Sequence, residues 1–247
     1  MSTPLVTIAI PSFNQGAYLE QALASVFEQD VPAEVFVMDG GSTDGSVDII
    51  RRWEHRLAGW RSTADLGQAA AVNEGIARGT APWVCWLNSD DFFYPGGLIQ
   101  LIESLCCDLR YPFTYGNCWT VSRHGARRGP YVTLSFSPRV FANFCFIAQP
   151  ATLVRRTAWE AVGGLRQELD LAFDYDLWWR LYLRFGVPAQ CDAFAAATRR
   201  HPATKTATRT DHHYDESIAV VREHWGSVPN KWRVTRPLVK GLRRLGF

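Results

Sequence analysis

Two carboxylates stand side by side at the end of an apolar run in VCWLNSDDFF, where Val84 to Leu87 lead into Asp90 and Asp91. Adjacent acids repel each other, and hydrophobic surroundings sharpen that repulsion unless a cation sits between them. A tight turn is one use for such a pair. The other is to hold a divalent ion through hard oxygen ligands while substrate phosphates complete its shell. Further acids fall at comparable places: Asp39 and Asp44 in DGGSTDGS, and Asp174 and Asp176 in FDYDLWW. Two residues apart at a helix start, Asp174 and Asp176 point in different directions. The DGGSTDGS stretch also suits a plain loop with a helix cap, and it is not the GxGxxG of a dinucleotide site.

The elements that must position these acids alternate in period. LVTIAI (Leu5–Ile10), EVFVMD (Glu34–Asp39) and WVCWL (Trp83–Leu87) are short apolar runs that predict strands covered on both faces. Leu19, Ala22, Leu23, Val26 and Phe27 recur at helical spacing, as do Val47, Ile50 and Trp53, then Val72, Gly75 and Ile76, and later Leu98, Leu101, Ile102 and Leu105. Strand and helix in alternation predict an α/β fold, a mostly parallel sheet flanked by helices. Ligands of such sheets bind beyond the carboxyl ends of the strands, where PSFN, DGGSTD and NSDD all fall. The middle, 111–147, is aromatic and without clean periodicity, predicting strands and loops laid over the sheet. A capping box, Thr157 to Glu160, opens a short helix ending at Gly163-Gly164. Leu177, Leu181 and Phe185 mark a stronger helix from near Asp174, and residues 211–225 suit a last one.

Composition bounds the rest. The 247 residues, 47% hydrophobic and 20% charged, are enough for one large globular domain or two small ones. The net charge of +2 gives no electrostatic case for a nucleic-acid partner. After Glu223 there is no acid, while Lys231, Arg233, Arg236, Lys240, Arg243 and Arg244 are all positive. Six cysteines without a CxxC pair read as small buried hydrophobes in a reducing compartment. With no basic, apolar leader and no run of about 18 apolar residues, a cytoplasmic protein is expected.

The motifs IPSFN, VMDGGSTDGS, DLGQAAAVNEG, WLNSDD and FDYDLWWRL, in that order, resemble glycosyltransferase family 2 and its GT-A fold. The resemblance spans most of the first two hundred residues, implying a GT-A domain over 1–210 and a helical, basic, amphipathic extension over 211–247. It implies inverting transfer of a sugar from a nucleotide-diphosphate sugar, UDP type by family frequency, to an acceptor hydroxyl, with Mn²⁺ or Mg²⁺ as cofactor. Pro11 and Phe13 resemble the segment packed on the nucleotide base, with Asn14 beside them, and Asp39 the acid on the base edge. Asp65, Gln68 and Asn73 match a segment near the diphosphate and sugar. That segment often reads GQADAxNKG in the family, whereas here Ala70 and Glu74 replace an Asp and a Lys. Asp90 resembles the first acid of the DxD-like motif, near ribose or metal, and Asp91 the metal ligand proper. Asn88 stands where the family often has an acid.

An inverting displacement needs one base, and Asp174 keeps the family's base position while Phe173 replaces its acidic neighbour. An uncharged neighbour favours a raised carboxyl pKa; the helix N-terminus favours the anion. Asp176 reads as a cap or buried partner. A lone His is ordinarily a loop residue, but in TRRHPATKT the family's Arg-x-His-Pro pattern implies metal ligation by His201. Arg200 and Lys205 would reach the diphosphate. On the acceptor side stand Gln149 and the adjacent Trp178 and Trp179, of which at most one can face the core fully, leaving the other for a sugar. The basic tail suits an anionic membrane and a lipid-linked acceptor, or docking on its own domain; Pro237 and Gly241 interrupt any continuous helix. Two rivals stand beside this reading. A nucleotidyltransferase would carry a basic Gly-rich loop after the first strand, and IPSFNQG has no Lys or Arg. A non-catalytic binding module would not need Asp39, Asp91 and Asp174 together.

Overall fold

A computed structural model describes residues 3–232. Strand β1 (Val6–Ser12) is buried along its whole length, as its unbroken apolar run requires. Val6, Ile8 and Ile10 enter the core on one face of the sheet and Ala9 the core on the other, the period of two that a pleated strand imposes. After β1 come α1 (Gly16–Phe27), β2 (Ala33–Asp39), α2 (Ser46–Trp53), β3 (Gly59–Ser62), α3 (Gln68–Arg78) and β4 (Trp83–Trp86). These four strands pair in parallel, in the order β3-β2-β1-β4. Their register sets Ser12, Asp39 and Ser62 in one row at the carboxyl ends.

The second half of the sheet is mixed. β5 (Phe92–Phe93), α4 (Gly97–Cys106), β6 (Phe113–Ser122), β7 (Arg127–Pro130), α5 (Pro138–Phe141), β8 (Thr152–Arg155), α6 (Arg156–Val162) and α7 (Phe173–Phe185) follow, then β9 (Ala189–Arg200), α8 (Lys205–Thr208) and α9 (Thr210–Trp225). β8, β6, β9 and β5 continue the sheet beyond β4, and β7 pairs with β6. β8 is antiparallel to β4 and to β6, while β9 runs parallel to β6 and antiparallel to β5. The parallel expectation therefore describes the first half, and the return strands supply the rest.

Three readings need correction. Thr157 does not cap α6, whose N-cap is Arg155, two residues earlier, without a side-chain cap. Cys106 and Cys107 are exposed, whereas Cys85, Cys118 and Cys191 are the buried hydrophobes expected. Trp178 and Trp179 are both 0% exposed, so neither faces the acceptor side. The reason is that α7 is covered on two sides. Trp178 stacks on Phe113 at 4.8 Å and Trp86 at 5.8 Å, against the sheet. Trp179 packs on Phe141 at 5.2 Å and on His224 and Trp225 of α9.

Val220 and Val221 of α9 enter the same core as α7, so the packing has no gap at residue 210. Of the tail, Trp232 is buried and its indole donates to the Ala142 carbonyl at 2.7 Å; residues 233–247, on which the membrane reading falls, lie outside the described residues. Among the described residues no helix is long and apolar enough to cross a membrane. Truncating Trp178 to Ala should remove about 3–5 kcal/mol of stability. Urea unfolding measures it, and a loss below about 1 kcal/mol, the size of an ordinary surface change, would contradict the burial.

Candidate active site

The acids lie where β4 ends. Asp91 is buried, and its two oxygens are held by the Arg199 backbone N–H at 2.8 Å and the Asn88 amide at 3.2 Å. Burial, and then the charge of Asp90 beside it, push the Asp91 carboxyl well above the usual carboxylate range. Asp90 meets His201, whose Nε2 lies 3.0 Å from Oδ2. His201 is itself buried and its ring packs on Tyr18 at 4.8 Å. The Arg199 guanidinium, also buried, touches neither carboxylate. It donates to the carbonyls of Asp90 at 2.7 Å and Arg123 at 3.0 Å, and to Gln21 Oε1 at 2.6 Å. Arg199 thus fixes the backbone under the acids without neutralising them.

Asn88 is the centre of an amide ladder. It accepts from Gln68 Nε2 at 2.7 Å and donates to Gln149 Oε1 at 3.1 Å as well as to Asp91; Gln149 in turn donates to the Trp86 carbonyl at 2.8 Å. Gln68 from α3 and Gln149 from beside β8 are thereby tied across the sheet to one acid. An acid at position 88 could not donate to Asp91 or Gln149.

On the β1–β3 side, Phe13 is an exposed aromatic, 61% accessible, beside Gly40. A Cβ on Gly40 would sit 3.3 Å from the Phe13 ring and 3.4 Å from Asp65, so glycine keeps this corner open. Asp39 is wholly buried and accepts from Ser42 N and Oγ, Gly41 N and Ser62 Oγ at 2.6–3.1 Å. Burial alone would raise its carboxyl, but these bonds outweigh it and hold it below the ordinary range. Asp39 therefore organises the loop, while Gly40 lines the cleft. Asn14, at φ 52 the one non-glycine in the left-handed region among the described residues, accepts from Thr43 N and donates its N–H to Ser42 Oγ. Asn73 clasps the Leu165 backbone through both amide atoms at 2.8 and 2.9 Å. Both are stitches between segments rather than cleft groups. Glu74, where the family often has Lys, pairs with Arg61 at 2.7 Å, and Arg61 also holds Asp65 at 3.2 Å and the Asp39 carbonyl at 2.6 Å.

On the opposite wall, the first turn of α7 splits its two acids as their spacing predicts. Asp176 turns inward to Arg180 at 2.7 Å, His224 at 2.8 Å and Arg166 at 3.3 Å. Burial would raise it, but these partners hold its carboxyl below the usual range. Asp174 turns to the cleft and accepts from Tyr175 N at 2.7 Å, and burial pushes it up to about 6 despite the helix-terminal N–H groups. The contest between burial and helix terminus is decided for burial. Arg200 is exposed at the end of β9, and Lys205 is ion-paired with Asp170 at 3.1 Å.

Pro11, Phe13, Asp65, Gln68, Asp90 and Asp91 line one cleft of about 980 Å³, and Gln149, Asp174, Arg200 and Lys205 line it too. Asn14, Asp39, Asn73, Trp178, Trp179 and His201 do not. Arg199, the amide ladder and Tyr131 at the cleft wall are what sequence reading missed; the doubled Arg199-Arg200 was the one local sign. Among the described residues no three His, Cys, Asp or Glu side chains converge as a metal ligand set. The donor chemistry nevertheless fits a hard divalent ion, since two adjacent carboxylates face the cleft and, among the described residues, neither is ion-paired to a Lys or Arg side chain; the imidazole of His201 alone lies against Asp90. One or two carboxylates plus phosphates is the ordinary protein share for such an ion.

A parallel half-sheet ending in paired acids, closed by a mixed half carrying a lone carboxyl, is the GT-A fold of nucleotide-sugar transferases. Solved structures superpose on it: S. aureus TarS in complex with UDP at a TM-score of 0.69, with 17% identity over 89% of this chain and 64% of that one. The mannosyltransferase PcManGT from Pyrobaculum calidifontis, in complex with GDP-Man and Mn²⁺, gives 0.64, with 18% identity over 94% and 68%. Residues 7–143, more than half of the chain, match the glycosyl transferase family 2 model, and the chain belongs to that family. It is 39% identical over 101 residues to the succinoglycan biosynthesis protein ExoU of Rhizobium meliloti, covering 40% of this chain and 30% of that one. It is 25% identical over 185 residues to chondroitin synthase of Escherichia coli, covering 72% and 26%. The aligned segments thus span less than a third of these two relatives.

Asn88→Asp should set a third carboxylate against Asp91 and Gln149. The expected loss is about 1–3 kcal/mol in EDTA, partly recovered with Mn²⁺. Equal urea-unfolding curves for the two proteins in EDTA would show that the ladder does not support Asp91.

Proposed function

We propose that the chain transfers a sugar from a nucleotide-diphosphate sugar to an acceptor hydroxyl, with inversion, in polysaccharide or glycan assembly. The observation that carries this reading is that Asp174, a carboxyl poised near 6, opens on the same cleft as Asp90 and Asp91. A carboxyl near that value is largely ionised at neutral pH yet remains a useful proton acceptor. Phe13, with Pro11 behind it, offers a platform for the base, and Asp65 and Gln68 face the diphosphate and sugar. Asp90 and Asp91 would hold the divalent ion, Mn²⁺ or Mg²⁺, with His201 orienting Asp90 from behind. When bound, that ion neutralises charge on the leaving diphosphate. Arg200 and Lys205 add positive charge at the same place, and Gln149 borders the acceptor. Asp174 takes the proton of the acceptor hydroxyl as that oxygen bonds to the anomeric carbon and the bond to the diphosphate oxygen breaks. The proton rests on Asp174 and the nucleoside diphosphate leaves.

Neighbours solved with UDP and with GDP-Man support a nucleotide donor, and UDP is our choice of first ligand. The names of the succinoglycan and chondroitin relatives support a glycan acceptor, and the basic tail is our reason for adding a lipid-linked one. We assign the work to the cytoplasm, with peripheral contact at the inner face of the membrane through the basic tail, whose composition supports it. The catalytic unit on this reading is residues 1–210 with α9 packed on it, the remainder of 211–247 being the extension.

Asp91→Asn is expected to abolish the part of UDP affinity that depends on Mn²⁺. Calorimetry giving equal UDP affinity in Mn²⁺ and in EDTA for the unaltered protein would remove the metal from this reading. Asp174→Asn should keep donor binding and lose transfer by 10²-fold or more, on the order of a general base's contribution. The acid limb of kcat/KM should fall near pH 6, where Asp174 gains its proton. Stability gives a separate check. The folded state holds the Asp174 proton more tightly than the unfolded chain, so stability is lost as pH rises from about 3.8 to about 6. Asp174→Asn should therefore be the more stable protein at pH 8, by about 1–3 kcal/mol, and gain nothing at pH 3.5. Melting curves at the two pH values decide it.

A further inference from the structure

Glu216 lies on α9, 44 residues beyond the nearest part of the cleft wall it serves, and is 9% exposed. Its Oε1 accepts the backbone N–H of Asp170 at 2.9 Å; its Oε2 accepts those of Leu171 at 2.7 Å and Ala172 at 2.9 Å. Three successive N–H groups converging on one carboxyl form an anion-holding nest. Ala172 is also the residue from which α7 starts, and it has no side chain able to cap that helix. Glu216 caps α7 from a distant part of the chain, two residues before Asp174. No local side chain does this: Leu171 and Ala172 have no polar group to offer, and the Asp170 carboxylate is turned to Lys205 and Arg209.

We propose, resting on the reading of Asp174 as the base, that Glu216 is a positioning residue for glycosyl transfer. It fixes the 170–172 backbone so that Asp174 meets the acceptor hydroxyl. The rest of the cleft is arranged consistently with that role. Asp170, whose N–H Glu216 holds, carries Lys205 at 3.1 Å and also pairs with Arg209, so the same three-residue loop sets the base on one side and the cationic segment 205–209 on the other. His213, Tyr214 and Ser217 of α9 line the cleft directly. A helix that reads as an appendage in the sequence is part of the catalytic wall.

Glu216 also acts on Asp174 through its charge, adding to the effect of burial. The other titratable or charged groups around the pair are Tyr131 and Cys145 of the 131–147 segment and Arg200 at the end of β9. Asp170, Lys205, His213 and Lys231 line the same cleft, and His212 lies 3.1 Å from Glu216. Glu216→Gln keeps the size and one carbonyl acceptor and removes the charge; it also takes the ion-pair partner from His212 and a stabilising negative charge from His213.

The test compares Glu216→Gln, Glu216→Ala and Asp174→Asn with the unaltered full chain, using UDP-sugar turnover with Mn²⁺. Glu216→Gln is expected to move the acid limb of kcat/KM down by about 0.5–1 pH unit, as loss of a neighbouring negative charge requires. It should also lower kcat about ten-fold with donor KM changed less than about two-fold, since the donor half of the cleft is untouched. Glu216→Asp, which restores charge without reach, should return the acid limb and not kcat. A Glu216→Gln protein with wild-type acid limb and wild-type kcat overturns the proposal while Asp174→Asn remains inactive. Full transfer by Asp174→Asn overturns the reading of the base and this proposal with it. If Glu216→Ala does not fold, the Gln and Asp variants decide the question alone.

Discussion

The repulsion between Asp90 and Asp91 is the constraint around which the cleft is built. Two carboxylates at the end of a buried strand need their backbone fixed and their oxygens satisfied without losing the charge that makes them useful. A guanidinium against them would satisfy them and end their use. The chain instead spends the buried Arg199 on carbonyl groups beneath the acids, a backbone N–H on one oxygen of Asp91 and an amide on the other. Neutral donors lower the cost of burial and leave room for a cation from outside. Asn88 fits this logic better than the acid often found there, because only an amide can both give to Asp91 and accept from Gln68.

The opposite wall solves a different problem with the same economy. Asp174 and Asp176 share a helical turn, yet Asp176 is held low by His224 and Arg180 against its burial and Asp174 is pushed up by burial. Environment, not residue type, separates a carboxyl held as an anion from one that keeps its proton to higher pH. The separation depends on α9, which supplies His224 to Asp176 and Glu216 to the backbone before Asp174.

Local pattern revealed much of this. The apolar runs of β1, β2 and β4 and the helical spacing of α1 to α4 were legible because each segment has both faces or one stripe covered. β9 was not, since AQCDAFAAATRR is mostly alanine and polar residues, without the branched side chains that signal a strand. Its strand character comes from β6 and β5 on either side. Asp39 and Asn73 were legible as special residues, but not as buried organisers, because their partners lie in loops whose approach only the folded chain defines. The two tryptophans misled for a related reason: a helix covered on two sides buries neighbours that one apolar stripe would have split. His201 sits behind Asp90 rather than in the cleft, which no spacing in the sequence could have told.

The two-residue strand β5 returns to β9 directly after the acids, pairing Phe92 and Phe93 with Ala197 and Ala196. That stitch means the acidic turn is not a free loop but a closed stitch in the sheet, anchored by hydrogen bonds on both flanks. Insertions there would unzip a strand. The distance between the acids and the Arg199 backbone is thereby set by the sheet rather than by the loop, so a change in loop length costs strand pairing and not only a turn.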